Sequence, residues 1–459
     1  MGAPREPARR LGSAFSHEPF PRTAPRRPHA FMNALHLSLL CSAGFAAALL
    51  LATALRLWLG LRQIRHVRLH REHVPQAFAG VIGVEAHRKA ADYTSARQRQ
   101  DLWHALFSAA VVLAWTLLGG LQLLAGLNAA WFGGGVGAQL LLLAEFGLLG
   151  ALLDLPWDIW RTFGLESRFG FNRSTPALFA ADQLKGLLLG AALMAPLALL
   201  VLWLMRLGPL WWLWAWAGFA GFSLAMMVIF PTWIAPWFNR FEPLPDGEVK
   251  TRAQALMQRC GFALQGLYVM DGSRRSAHAN AYFTGIGSAR RVVLFDTLLG
   301  QLDAQQIEAV LAHEVGHYKR RHIQQRLLLT LAMSLGGFAL LGWLASRSWF
   351  YSGLGFEPDL LGSNAAAALI LFSLALPVFG VFLTPLGSGW SRRHEFEADA
   401  YAAEHSDARA LGSALLRMYR DNASTLTPDP WFVRFYYSHP PALQRLARLG
   451  LPAAAPATA

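Results

Sequence analysis

The chain has 459 residues, of which 54% are hydrophobic, 12% aromatic and only 15% charged. With a mean hydropathy of +0.31 it is too apolar for an ordinary soluble protein of this length, and several membrane spans are expected. The net charge of +13 does not imply nucleic acid as a partner: the excess arginines crowd the ends of apolar runs and the N-terminal tail, where topology and anionic lipid account for them, and no nucleic-acid-binding motif accompanies them. Cys41 and Cys260 are the only cysteines, which excludes a disulfide framework and a thiolate metal site. Any metal must be held by nitrogen and oxygen.

Residues 1–31 are rich in Pro and Arg without hydrophobic periodicity, which reads as a disordered tail; Met32, directly before the first apolar run, is an alternative start. Seven spans are expected, at 34–55, 103–127, 135–155, 186–205, 210–231, 327–345 and 365–386, each near the ~20 residues that cross a bilayer as a helix. The apolar core of the first exceeds the ~7–15 residues of a cleaved signal peptide. Glu145 and Asp154 fall in the third, and acids there require a water-filled or polar surrounding. The chain thus divides into a tail (1–31), five spans (32–237), a polar block (238–323), two spans (324–388) and a polar C-terminal part (389–459).

Basic residues in the connections set an orientation. The first connection holds Arg62, Arg65, Arg68, Arg71, Arg88, Lys89, Arg97 and Arg99, whereas the second has no Lys or Arg between 127 and 134. Arg161, Arg168 and Arg173 lie in the third, Lys319, Arg320 and Arg321 in the fifth, only Arg347 in the sixth, and Arg392 and Arg393 follow the last span. Odd-numbered connections and the C-terminus are therefore expected inside and the N-terminus outside. The Arg-rich leader opposes this unless translation begins at Met32.

The polar block reads as a small α/β unit: a helix over 249–259, short strands at 266–270 and 291–295, and a helix from Asp303, its N-cap. That last helix carries H-E-V-G-H at 313–317. His313 and His317, spaced i, i+4, project from one face and can share one Zn²⁺, with Glu314 beside it to take a proton from metal-bound water. A catalytic zinc wants a third protein ligand, and the helical stretch S-R-R-H-E-F-E-A-D-A-Y-A-A-E-H after the last span offers His394, Glu395, Glu397 and Asp399. Glu395 is favoured. Asp399, one turn on, is placed to fix the tautomer of a ligand histidine. Glu397 points about 200° away from Glu395 and is expected to be solvated or paired with arginine.

Several stretches together resemble the CAAX prenyl protease 1 family, integral-membrane zinc metalloproteases of the gluzincin type. They are E-S-R-F-G-F-N-R-S-T (166–175), R-R-S-A-H-A-N-A-Y-F-T-G (274–285), R-V-V-L-F-D-T-L-L (291–299), H-E-V-G-H, E-F-E-A-D-A-Y-A (395–402) and Y-S-H-P-P-A-L-Q-R-L (437–446), within a resemblance covering roughly 33–450. The resemblance implies a mainly α fold: seven transmembrane helices around a large water-filled chamber, with a small α/β metallopeptidase domain on the cytoplasmic side. It implies one Zn²⁺ on His313, His317 and Glu395, Glu314 as base and Asp399 behind the ligands. It further implies that Asn280 contacts the substrate backbone and helps the transition state, that His439 stabilises the oxyanion, and that Arg445 lies near the bound peptide. Segment 278–285, with Ala281 and Tyr282, is placed to pair with an extended substrate as an edge strand, and the role of His278 is open.

The implied activity is hydrolysis of a peptide bond by zinc-activated water, with removal of the last three residues of prenylated Cys-a-a-X proteins. The partners are then a peptide or protein substrate and membrane lipid. The localisation is a multi-pass protein of the bacterial inner membrane, or of the endoplasmic reticulum in a eukaryote. Two alternatives stay open: a membrane-protein quality-control zinc protease acting on non-prenylated substrates, and a noncatalytic zinc-binding chamber or transport protein.

Overall fold

The computed structural model describes residues 2, 28–262, 266–284 and 291–451. The expected disordered tail lies outside the described residues apart from Gly2 and 28–31, and the latter already form the start of helix α1 (Pro28–Leu69). Proline suits a helix start, because its fixed φ is helical and its missing N–H is not needed there. Beyond its apolar stretch α1 continues to Leu69, carrying Arg56, Arg62, Arg65 and Arg68 clear of the span.

The second span departs from expectation. In place of one straight helix over 103–127 there are two, α2 (Val84–Trp115) and α3 (Gly120–Phe132), bent by 47°. Gly119 takes the left-handed conformation (φ +76°), which a side chain would resist, and the chain is crowded from outside: a Cβ on Gly355 would stand 2.4 Å from the Thr116 carbonyl oxygen. α4 (Val136–Ile159) passes through a π-helical turn into the short α5 (Ser167–Phe169). α6 (Pro176–Leu204) is capped by the Thr175 hydroxyl, which accepts from the Leu178 amide at 3.2 Å. α7 (Trp211–Ile229) completes the first membrane block.

The polar block contributes β1 (Phe241–Pro243), α8 (Glu248–Arg259), β2 (Gly266–Met270), β3 (Ala281–Thr284), β4 (Arg291–Phe295), α9 (Asp296–Gln301) and α10 (Ala304–Lys319). The strand order is β1-β2-β4-β3, with β2 and β4 parallel and the outer pairs antiparallel, which leaves β3 at one edge. Gly285, the last residue of the expected edge segment, lies outside the described residues. Two further apolar helices follow, α11 (His322–Leu344) and, after α12 (Ser348–Gly353), α13 (Ala365–Gly380). The last leads through a short turn into α14 (Thr384–His405), then α15 (Ala408–Asp421), α16 (Pro430–Tyr436) and α17 (Ala442–Arg448). No loop separates α13 from α14 at residue 388, because the last span and the polar helix that follows it form one 41-residue unit, Ala365–His405.

Among the described residues six helices are long and apolar enough to cross a membrane, or seven with the bent pair as one span. Their outer faces carry Leu50, Leu118, Trp131 and Trp233, each at least 70% exposed. Such a belt calls for lipid rather than water. The acids within the spans have polar partners: Glu145, half-buried, accepts from Asn128 at 2.8 Å, and Asp154, itself exposed, lies 3.3 Å from His104. A separate core, with Leu256, Val292, Leu294, Leu298, Ile307, Leu311 and Val315 buried, ties the sheet to α8, α10, α14 and α15. Fully burying each such side chain contributes about 1.5–3 kcal/mol. This core draws on residues before α11 and after α13 alike, so the two membrane helices between them are an insertion into one packed unit.

Candidate metal centre

α10 begins at Asp303, whose carboxylate accepts from the Gln306 amide at 2.8 Å while the Gln306 side chain accepts from the Asp303 amide at 3.2 Å. This reciprocal cap fixes the helix start ten residues before His313. The glycine of H-E-V-G-H has a packing reason: a Cβ on Gly316 would lie 3.0 Å from the Ala398 Cα and the Tyr401 Cβ. Here α10 and α14 touch backbone to backbone, and that contact brings the two histidines of one helix against the carboxylates of the other.

The Nε2 atoms of His313 and His317 lie 3.2 Å apart, and the two oxygens of Glu395 approach them, at 3.4 Å from His313 and 3.3 Å from His317. Bonds of ~2.0–2.2 Å in a tetrahedral zinc site put neighbouring donors about 3.3 Å apart, so the three spacings fit one small tetrahedral ion. Glu395 is buried and its Oε2 has no hydrogen-bond partner, an orphaned anionic oxygen that a cation would satisfy. Two nitrogens, one carboxylate and no thiolate suit zinc or a similar borderline divalent ion. Glu314 follows His313 directly; burial, the largest influence, pushes its carboxyl above the ordinary range while the two histidines pull it back.

Each histidine leads outward through its other nitrogen. The Nδ1 of His313 is 2.9 Å from Asp399, whose carboxylate accepts from Arg445 Nε at 2.8 Å and from its Nη2 at 2.5 Å. Burial opposes the charge of Arg445, and Asp399 more than restores it. The fork of Arg445, expected beside the bound peptide, is taken up by Asp399, with its Nη2 also 3.4 Å from the Nδ1 of His313. The Nδ1 of His317 is 3.0 Å from Nδ1 of His322, and the Nε2 of His322 is 3.0 Å from Glu397. Glu397 also accepts from Arg393 at 2.9 Å, the arginine pairing expected for it. The link to His322 is new. His322 is buried and stacks on His394 with ring centres 3.9 Å apart and planes 5° from parallel. Its only sequence signal is a histidine five positions after His317.

His439 approaches from the segment after α16, its Nε2 3.4 Å from Glu395. The Ser438 hydroxyl lies 2.9 Å from its Nδ1, so a hydroxyl donating there leaves an N–H on Nε2, facing the cluster. Asn280 is exposed at the N-terminal end of β3, its side-chain oxygen accepting from the Ala281 amide at 2.9 Å. Ala281 and Tyr282 follow on that edge, and among the described residues no hydrogen bond or ion pair joins the three to the histidine cluster. His278 stacks on Phe171, lies 3.5 Å from Glu166 and 3.4 Å from Asn422, and so fastens the strand entry to the loop after α4.

Comparison with known proteins places the chain in a family of membrane metallopeptidases. Residues 63–240 match the family described as CAAX prenyl protease N-terminal, five membrane helices, and residues 243–452 match Peptidase family M48. The chain is 32% identical to the CAAX prenyl protease 1 homolog of Oryza sativa subsp. japonica, over 85% of this chain and 93% of that protein. It is 30% identical to the Homo sapiens homolog, over 88% and 95%. The crystal structure of S. mikatae Ste24p superposes with a TM-score of 0.82 at 28% identity, covering 89% of this chain and 98% of that one. A multi-pass membrane protein whose two helices present His, His and Glu to one point, this chain belongs to the CAAX prenyl protease 1 family of M48 metallopeptidases.

Proposed function

We propose that the metal is zinc, held by His313, His317 and Glu395, and that the enzyme cuts C-terminal peptides of lipid-modified proteins at the cytoplasmic face of its membrane. The convergence of three donor atoms with spacings of 3.2–3.4 Å carries the reading. Held by these three residues, zinc would supply a strongly acidified water and a Lewis acid for the scissile carbonyl. The Glu314 carboxylate takes the proton from the attacking water and returns it to the leaving nitrogen. The Nε2–H of His439 and the Asn280 amide donate to the developing oxyanion, and the edge of β3 aligns the peptide through Ala281 and Tyr282.

A lipid-modified substrate is supported by an apolar cavity of about 730 Å³ at the C-terminal end of β3, lined by Gly186, Gly190, Phe222, Met226, Phe283 and Ile323. It lies between membrane helices and touches the strand that would hold the peptide. Cytoplasmic orientation is supported by the arginine-rich ends of the spans beside the metal centre, where Arg62 of α1 pairs with Asp429 at 3.0 Å.

The test is zinc content together with cleavage of a farnesylated C-terminal peptide beside its unmodified twin. Preferred cleavage of the farnesylated peptide is expected, with Glu314→Gln keeping its zinc while losing activity by about 10²–10⁴-fold. Equal cleavage of both peptides would transfer the reading to quality control of unmodified membrane proteins, and near-wild-type turnover in Glu314→Gln would remove Glu314 as the base.

A further inference from the structure

A second cavity, of about 540 Å³, lies at the opposite end of β3 from the apolar one, within the usual ~300–1,000 Å³ of a small-ligand site. Its wall includes His439 beside the ligand cluster, His278 at the strand entry, and Tyr93, Arg97 and Asp101 from α2. Arg97 is the one arginine or lysine on that wall, and no hydrogen bond or ion pair occupies its guanidinium among the described residues. Its charge reaches Tyr93, Asp101 and Glu166 only through space. Asp101, one turn along α2, shares the wall without pairing with it. The wall itself is held in place, since Tyr93 donates to Glu166 at 2.7 Å and Glu166 faces His278.

The direction of the substrate follows from the strand. A peptide pairing antiparallel with β3, the slightly more stable arrangement per residue, runs its C-terminal end past Asn280 toward His278. Its N-terminal side then lies at Phe283 and Thr284, beside the apolar cavity. We propose that Arg97 binds the free C-terminal carboxylate of the substrate, so that the polar cavity takes the departing fragment and the cut is measured from the end of the chain. Three extended residues span ~10 Å, and a guanidinium grips a carboxylate with two parallel hydrogen bonds. This rests on the proposed peptidase reading, because it deepens the use of the same site.

Two readouts on the full-length zinc-loaded protein in detergent separate the claims: binding and cleavage of a peptide ending in a free carboxylate, each beside its C-terminal amide. The acid is expected to be favoured about 10- to 100-fold in binding and in kcat/KM. Arg97→Ala should bring both ratios close to one with zinc content unchanged, Arg97→Lys should keep part of the preference, and the off-wall control Arg99→Ala all of it. Equal handling of acid and amide by the wild type, or a preference that survives Arg97→Ala, overturns the proposal, the latter placing the anchor elsewhere. A carboxylate preference in binding that Arg97→Ala abolishes, with no cleavage by the wild type, would keep the anchor and sink the peptidase reading.

Discussion

The two histidines proposed as ligands are supported in unlike ways. Behind His313 stands a carboxylate in direct contact, Asp399, itself gripped by Arg445, and both are almost wholly buried. Behind His317 stands a second histidine, and only beyond it a carboxylate, Glu397, whose side chain is 36% exposed. The proton logic is nonetheless the same. In the proposed site the Nε2 of each histidine would face the metal, so that His313 would donate from Nδ1 to Asp399, and His317 from Nδ1 to His322, which would donate from Nε2 to Glu397. One arm is short and dry, the other longer and open to solvent at its end. The comparison teaches that a ligand tautomer can be fixed at two removes, and that the cost of breaking an arm should follow its burial.

The largest effect is expected in the short arm. Asp399→Ala frees the His313 tautomer and leaves the Arg445 charge buried without a partner. Zinc affinity should fall about 10–100-fold and stability by about 3–5 kcal/mol. Competition with a graded chelator reads the first and denaturant unfolding the second. A variant with full stability would show that the Arg445 charge is solvated in solution, and the contrast between the arms would collapse.

His322→Ala is the matching cut in the long arm. It removes the acceptor for His317 and the stacking partner of His394, but leaves no buried charge unpaired. Zinc affinity should fall about tenfold, at the lower end of what such outer partners contribute, with a smaller loss of stability than in Asp399→Ala. An unchanged chelator midpoint would mean that His317 is held by its helix alone.

The legible and illegible parts of this chain divide along physical lines. Motifs whose spacing matches the helical period could be read directly: His313 with His317 on one face, Glu395 with Asp399 on another, and the Asp303 cap before them. The membrane class was equally plain, because lipid imposes its own composition. The bend between Trp115 and Gly120 was hidden, since hydropathy runs on through it and the cause, Gly355 against Thr116, is distant in sequence. The His322 link was hidden for another reason. It depends on Arg321, whose left-handed conformation (φ 59°) ends one helical period and starts another, and it sets Glu397 to a task that its place on α14 alone does not reveal. The grip of Arg445 on Asp399 was hidden as well, because it depends on how α17 packs against α14.

The smallest expected effect lies at the solvent end of the long arm. Glu397→Gln keeps the shape and an acceptor for His322 while removing the charge, and Arg393, which also pairs with Glu397, is freed into solvent at little cost. Exposure lets water take over much of what the carboxylate does, so zinc affinity should fall only about two- to threefold, in keeping with the ~0–1 kcal/mol of an exposed ion pair. A Glu397 that is merely solvated or paired with arginine would leave zinc retention untouched, whereas the contact with His322 implies a small loss that should vanish once His322 is already alanine. The double variant decides the matter: a chelator midpoint for His322→Ala with Glu397→Gln equal to that of His322→Ala alone places Glu397 on the same line of hydrogen bonds, whereas additive losses would mean that it acts on the metal through its charge.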